Sequence, residues 1–279
     1  MLSYRHAFHA GNHGDVLKHL ILTQTLEYMR HKEKPFVYID THAGAGCYDL
    51  MDDWAQKNRE FNGGIAQLWQ RNDLPASMVS YINLVKAMNP TLALSQYPGS
   101  PWIARQLMRP GDKCRLYELH SSEIDNLLSC FAGDKSVIIE HGDGYAALKA
   151  QLPPRERRAV VLMDPSYEKK QDFSQVVDVL KDAYRRFATG VYMIWYPIIW
   201  RKYLRQLEDS LRNSGVRNIL CCELHVASDH AIGLTGSGMV VVNPPWLLAE
   251  NMRSCLPYLA DILGLDHDGH YRLEMLVDQ

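Results

Sequence analysis

The chain has 279 residues, enough for one large domain or a domain with an insert, and its 47% hydrophobic and 22% charged residues are the balance of a globular protein. A formal charge of −2 excludes a global basic footprint, so any contact with nucleic acid has to come from local patches. No apolar run approaches the roughly 18 residues a membrane span needs, no signal peptide opens the chain, and the six cysteines (Cys47, Cys114, Cys130, Cys221, Cys222, Cys255) lack CxxC spacing and read as reduced cytosolic thiols.

The first nineteen residues, MLSYRHAFHAGNHGDVLKH, hold His6, His9, His13 and His19 among Tyr4, Arg5, Asp15 and Lys18. The spacings fit no familiar ligand pattern, so a polar arm before a helix is preferred to a metal site. A third reading lays the arm over an active-site mouth. Ala10–Gly14 is a turn signal, and Asp15 is placed to cap a helix over residues 16–30. Residues 36–40, FVYID, are a strand, and THAGAG, 41–46, is a glycine-rich turn of the kind that opens a nucleotide-binding βα unit.

Residues 47–110 break the alternation. Helical patterns at 64–70 and 76–88 carry Trp69, Met78, Tyr81, Ile82, Leu84 and Val85, which read as a small local core within an inserted helical subdomain. In YPGSP, 97–101, Ser100 is the expected N-cap of a helix with Pro101 at its first position, and that helix end suits a carboxylate or phosphate. Strands at 114–120, 136–140, 159–163, 190–196, 218–226 and 238–243 then alternate with helical stretches. With 36–40 they predict a seven-stranded, mostly parallel sheet covered on both faces, whose last strand the short connection before it allows to be antiparallel.

The strand ends carry Asp40 and His42 with Gly44 and Gly46, then Glu118, then Asp143-Gly144, then Asp164-Pro165. Glu118 is placed for ribose hydroxyls and Asp143 for an adenine amino group. No GxxxxGK[ST] loop is present, which argues against ATP and for S-adenosylmethionine, whose amino-acid carboxylate would meet His19, Lys18 or the helix at Ser100. Asp164-Pro165-Ser166-Tyr167 resembles the [DN]PP[YF] motif of amino-methyltransferases. With LSYRHAFHAGNHGDVLKH, YIDTHAGAG, YPGSP, HGDG, ATGVYMIWYP and SGMVVVNPPW, the whole chain is similar to the bacterial 23S ribosomal RNA adenine N6-methyltransferases.

That resemblance implies a Rossmann-like class I fold in a single domain over residues 1–279, with 1–30 as arm and helix over the active site and 50–97 as the inserted subdomain. It implies S-adenosylmethionine against His19, His42, Ser100, Glu118, Asp143, Gly144 and Asp164, catalysis by Asp164, Pro165 and Tyr167, and Tyr4 on the substrate nucleotide. The implied partner is free or partly assembled 23S ribosomal RNA, met in the cytoplasm by a monomer without metal or membrane contact. In this reading Asp164 and the Pro165 carbonyl accept the amine hydrogens and Tyr167 stacks on a base turned out of its helix. Arg155/Arg157/Arg158, Arg185/Arg186 and Arg201/Lys202/Arg205 are the candidate RNA patches. Ser166 stands where the family has proline, which removes one rigid ring. The rivals are an RNA- and cofactor-binding protein without turnover, a DNA adenine N6-methyltransferase, and a metal-dependent hydrolase using the N-terminal histidines. NPPW, 243–246, competes with DPSY as the catalytic motif and loses on chain order.

Overall fold

In the computed structural model, which describes residues 5–91, 93–228, 231 and 233–278, every residue of the strand Ala159–Met163 is buried. A continuous apolar run of this kind is what a strand covered on both faces requires. Helix α1 (His13–Arg30) leads into β1 (Val37–Asp40). Next come β2 (Cys47–Asp49), α2 (Asp53–Asn58), α3 (Ile65–Leu68), α4 (Ala76–Met88) and β3 (Gln96–Pro98), with β2 and β3 paired as a small antiparallel ribbon. Helices and strands then alternate: α5 (Ser100–Leu107), β4 (Lys113–Glu118), α6 (Ser121–Cys130), β5 (Val137–His141), α7 (Gly144–Gln151), β6 (Ala159–Met163), α8 (Asp172–Arg186) and β7 (Val191–Ile198). The chain ends with α9 (Arg201–Arg212), β8 (Ile219–His225), β9 (Gly236–Val242), α10 (Leu248–Leu263) and β10 (His270–Val277).

The main sheet of the described residues has eight strands in the order β10-β8-β9-β7-β6-β1-β4-β5. Pairing is parallel from β5 through β4, β1 and β6 to β7. Strand β9 runs antiparallel to both neighbours, and β10 runs antiparallel to β8. The eighth strand corrects the expected seven. HYRLEMLV interleaves polar and apolar residues at an exposed edge and lacks the continuous apolar run that marks the other strands. The order reverses between β1 and β6, which opens a crevice at their carboxyl ends.

Alternate residues of each strand feed two cores. Val160 and Leu162 pack toward α1, α4, α5 and α10, whereas Val161 and Met163 pack toward α7, α8 and α9. The insert does not build a local core of its own. Phe61, Ile65, Trp69, Met78, Tyr81 and Val85 join the cluster of α1, because α4 lies directly against α1 and α10. Gly64 permits this: a Cβ there would sit 2.1 Å from the Gly11 carbonyl oxygen. Two caps also differ from expectation. Asn12 accepts from the Asp15 N–H at the start of α1, and Ser100 lies inside α5 after Gly99. Finally, Cys47 on β2 and Cys130 at the end of α6 form a disulfide, against the expectation of six reduced thiols; their elements are neighbours in space though distant in sequence. Cys114, Cys221, Cys222 and Cys255 are free and buried.

Candidate active site

The crevice holds a cavity of about 220 Å³. His19, His42, Ser100, Glu118, Asp143, Gly144, Asp164 and Pro165 all line it, brought there by α1, the turn after β1, the start of α5, and the ends of β4, β5 and β6. Tyr167 does not line it, and Tyr4 lies outside the described residues.

The glycine-rich turn is tied to the next strand by Glu118. One carboxylate oxygen accepts from the Gly44 N–H (2.8 Å) and the other from the His120 N–H (2.7 Å). Each oxygen keeps a lone pair for a ligand hydroxyl. Asp143 caps α7 by accepting from the Tyr145 N–H (2.9 Å) and Ala146 N–H (3.2 Å) through Oδ1, which leaves its other oxygen at the exposed rim. Gly144 is held against the turn, where a Cβ would approach the Thr41 carbonyl oxygen to 2.2 Å. Beneath the turn, fully buried Asp40 accepts from Tyr38 Oη (2.6 Å), Ser100 Oγ (2.7 Å) and the His42 N–H (3.2 Å). Burial pushes its carboxyl up to about 6, against those hydrogen bonds.

Asp164 is met by a cation from the N-terminal segment. Lys18 Nζ lies 2.6 Å from Asp164 Oδ2 and 2.8 Å from Asp15 Oδ1, with 5% of its side chain exposed. Asp15 is held in turn by His6 Nε2 (2.9 Å) and the Gly11 N–H (2.9 Å). Burial alone would lower the Lys18 ammonium, but the two carboxylates more than offset it and hold it above its ordinary range. Burial likewise opposes ionisation of Asp15, yet His6 and Lys18 keep that carboxyl well below the usual range. Lys18 is therefore committed to carboxylates of the protein and is not free for a ligand carboxylate. The sequence shows only the local part of this network, Asp15 three residues before Lys18.

His19 is buried, and burial lowers its imidazole to about 3, so it is neutral. Its Nδ1 lies 2.8 Å from Tyr97 Oη, while its Nε2 has no partner among the described residues. His42 is also lowered by burial; its Nδ1 lies 2.8 Å from Thr41 Oγ1 and its ring meets Tyr145 edge-on at 4.8 Å. Three buried polar atoms of the cavity wall lack a partner among the described residues: His19 Nε2, Tyr145 Oη and Glu123 Oε2.

Tyr167 departs from expectation. Its ring is 3% exposed, packs on Phe173 with centroids 4.5 Å apart, and donates its hydroxyl to the Trp195 carbonyl (2.6 Å). Its φ of +51° turns the side chain under β7, so no face of the ring is offered to a base. The N-terminal histidines do not converge. His6 meets Asp15, His9 meets Glu60 at 2.9 Å, and His13 is half-buried, with its imidazole lowered by desolvation to about 4. NPPW lies at the wrong end of the sheet. Because β9 is antiparallel, Asn243 sits beside the start of β7 and donates to the Ala188 and Gly190 carbonyls, each at 2.8 Å.

The basic patches divide in the same way. Arg158 is spent on the Met29 carbonyl (2.6 Å), and Arg185 and Arg186 both pair with Asp182; these groups precede β6 and β7. Arg201, Lys202 and Arg205 begin α9, after the carboxyl end of β7, on the side of the cavity.

The family model described as "Ribosomal RNA large subunit methyltransferase D, RlmJ" matches residues 33–277. Over the full length of both chains, the sequence is 46% identical to Ribosomal RNA large subunit methyltransferase J of Escherichia coli (strain K12) and 44% identical to the protein of that name from Haemophilus influenzae. A crystal structure of a Legionella pneumophila protein superposes with a TM-score of 0.90 at 36% identity, covering 96% of this chain and 98% of that one.

Proposed function

The chain belongs to the ribosomal RNA large subunit methyltransferase family, and we propose that it transfers a methyl group from S-adenosylmethionine to N6 of an adenine in 23S ribosomal RNA. The observation that carries the reading is the position of Asp164-Pro165: at the end of β6, in the same cavity as Glu118 and Asp143, with Lys18 holding one carboxylate oxygen and leaving the other unpartnered among the described residues.

The donor set suits this cofactor. Glu118, Asp143 and Asp164 make the wall acidic, and burial lowers the imidazoles of His19 and His42, which favours a cationic sulfonium over a triphosphate. Glu118 would take the ribose hydroxyls and Asp143 an adenine amino hydrogen. His19 Nε2 and the N-terminus of α5 at Ser100 would face the methionine carboxylate. S-adenosylmethionine supplies an electrophilic methyl group on a sulfonium.

An adenine amine is a weak nucleophile because its lone pair is delocalised into the ring. The free Asp164 oxygen and the Pro165 carbonyl would accept hydrogen bonds from its two N–H groups, draw the nitrogen toward tetrahedral geometry and aim the lone pair; as the N–C bond forms and the thioether leaves, Asp164 would take the proton the nitrogen releases. Positioning and fixed dipoles then supply most of the rate. Lys18 fixes the rotamer of Asp164 for that task. Tyr167 supports the turn from below, and the family resemblance assigns contact with the flipped nucleotide to Tyr4. Arg201, Lys202 and Arg205, which begin α9 after β7, would meet RNA phosphates, and the substrate would be free or partly assembled RNA in the cytoplasm.

The test is methylation of transcribed 23S RNA with labelled cofactor, followed by mapping of the modified base. Asp164→Ala should lower turnover by roughly 10²–10³-fold. Near-normal turnover, or a product other than N6-methyladenine, would sink the proposal. Efficient methylation of single-stranded DNA of the same sequence would favour the DNA enzyme, and cofactor binding without any methyl transfer would favour the binding protein.

A further inference from the structure

Behind the cavity, two tyrosines determine which nitrogen of His19 carries the proton. Tyr97 Oη lies 2.8 Å from His19 Nδ1, and Tyr81 Oη lies 2.9 Å from Tyr97 Oη. All three side chains are buried, and the Tyr97 ring stacks on His19 with centroids 5.5 Å apart. Burial raises both phenols, so each keeps one proton to give.

Three orientations of this chain keep both hydrogen bonds, because a hydroxyl can accept twice. In the two where His19 Nδ1–H donates to Tyr97, the hydroxyl proton of either Tyr81 or Tyr97 has no acceptor among the described residues. His19 Nε2 would then be a second orphan, a bare buried lone pair. If instead Tyr81 donates to Tyr97 and Tyr97 donates to Nδ1, every proton in the chain is used except the one on Nε2, a buried atom without a partner on a residue that lines the cavity. This orientation leaves one buried group unpaired where the others leave two, and each such group costs more than a typical bond gains, so it wins. It is also the one that a carboxylate ligand needs, because an Nε2 lone pair would repel it.

We propose that Tyr81 and Tyr97 are positioning residues that lock His19 as the Nε2–H tautomer and so equip it to donate to the carboxylate of the cofactor. This rests on the methyltransferase reading of the cavity. The tyrosines touch neither cofactor nor substrate. They act through His19 alone, so their effect is confined to ligands that carry the carboxylate.

Calorimetry with S-adenosylhomocysteine and with 5′-methylthioadenosine, which shares the adenosine but lacks the amino-acid end, separates this role from a structural one. Tyr97→Phe should weaken S-adenosylhomocysteine about tenfold, the value of one hydrogen bond to a charged group, and leave 5′-methylthioadenosine within about twofold. Tyr81→Phe keeps the Tyr97 donor and should weaken S-adenosylhomocysteine about threefold with the same selectivity; it provides the same comparison where Tyr97→Phe fails to fold. Steady-state kinetics should show a raised cofactor KM at nearly constant kcat. Equal loss for both ligands, or loss for neither, overturns the proposal. Nitrogen NMR of labelled wild-type histidine should find His19 protonated at Nε2, and protonation at Nδ1 overturns it independently. Should the wild type bind neither ligand, the cofactor reading fails, while the NMR result still decides the tautomer.

Discussion

Lys18 is the side chain on which the arm and the candidate catalytic turn both depend, and Lys18→Met removes its charge while keeping most of its length. The ammonium sits 2.6 Å from Asp164 and 2.8 Å from Asp15. At an effective dielectric near 20, each contact carries a gross attraction on the order of 6 kcal/mol. Desolvation of the three ions returns much of that, and deleting one partner of a buried pair costs about 3–5 kcal/mol. Asp15 would keep His6 and the Gly11 N–H, but Lys18 is the only hydrogen-bond partner of Asp164 among the described residues. The variant should therefore lose about 3–5 kcal/mol in denaturant unfolding at pH 7 with an unchanged m-value, and should turn over poorly even where it is folded. The pH dependence has a definite form. Asp15 is depressed, so its contribution is complete above about pH 4 and is lost as pH falls through its folded value; Lys18 is raised, so its contribution is complete below about pH 10 and is lost above its folded value. The difference between wild type and variant should be flat from about pH 5 to pH 9. A loss under about 1 kcal/mol, or a difference that slopes across that window, would refute the argument.

Asp40 carries the opposite sign. Its folded carboxyl is raised to about 6, so its contribution to stability is full below the ordinary value near 4 and is lost as pH rises through 6. Relative to wild type, Asp40→Asn should gain on the order of 2–3 kcal/mol between pH 4 and pH 8 in denaturant melts, and a constant difference would show that the shift is absent. Asn243→Ala removes two hydrogen bonds from a left-handed residue at the far end of the sheet; it should cost about 1–3 kcal/mol of stability and leave turnover per folded molecule unchanged, whereas abolished turnover with Asp164→Ala active would reverse the choice of motif. Alkylation of the denatured, unreduced protein, read by mass spectrometry, should modify the four free cysteines and spare Cys47 and Cys130; six modified thiols would remove the disulfide.

The strands that carry the cofactor residues were legible because each is a short apolar run ending in a carboxylate or a glycine-rich turn, and both signals are local. The crossing of Lys18 to Asp164 spans 146 positions and leaves no local mark. The same holds for Tyr97, which reads as a turn residue in YPGSP and is in fact stacked on His19. The direction of Tyr167 was misread because a tyrosine after a turn is equally consistent with a ring that faces a ligand and one that braces the turn; a positive φ decides between them, and periodicity carries no information about it. Strand β10 was missed because its polar alternation at a sheet edge resembles a solvated tail.

Two short strings, DPSY and NPPW, come after apolar strands and have nearly the same chemistry, yet only one lies in the crevice. The sheet decides this. Strand β6 runs parallel to its neighbours, so its end joins those of β1 and β4, whereas β9 is reversed and delivers Asn243 to the start of β7. The serine in DPSY bears less weight than its place in the motif implies. Tyr167 adopts a left-handed conformation that costs a bulky residue about 1–3 kcal/mol, and such a conformation persists only when the surroundings over-determine it. Here they do: the hydroxyl is anchored on the Trp195 carbonyl and the ring is packed on Phe173. Ser166 makes no hydrogen bond among the described residues, so the turn is held from β7 through Tyr167, with Pro165 fixing φ next to Asp164. A proline at 166 would add stiffness to a turn that Pro165 and the Tyr167 contacts already hold at both ends.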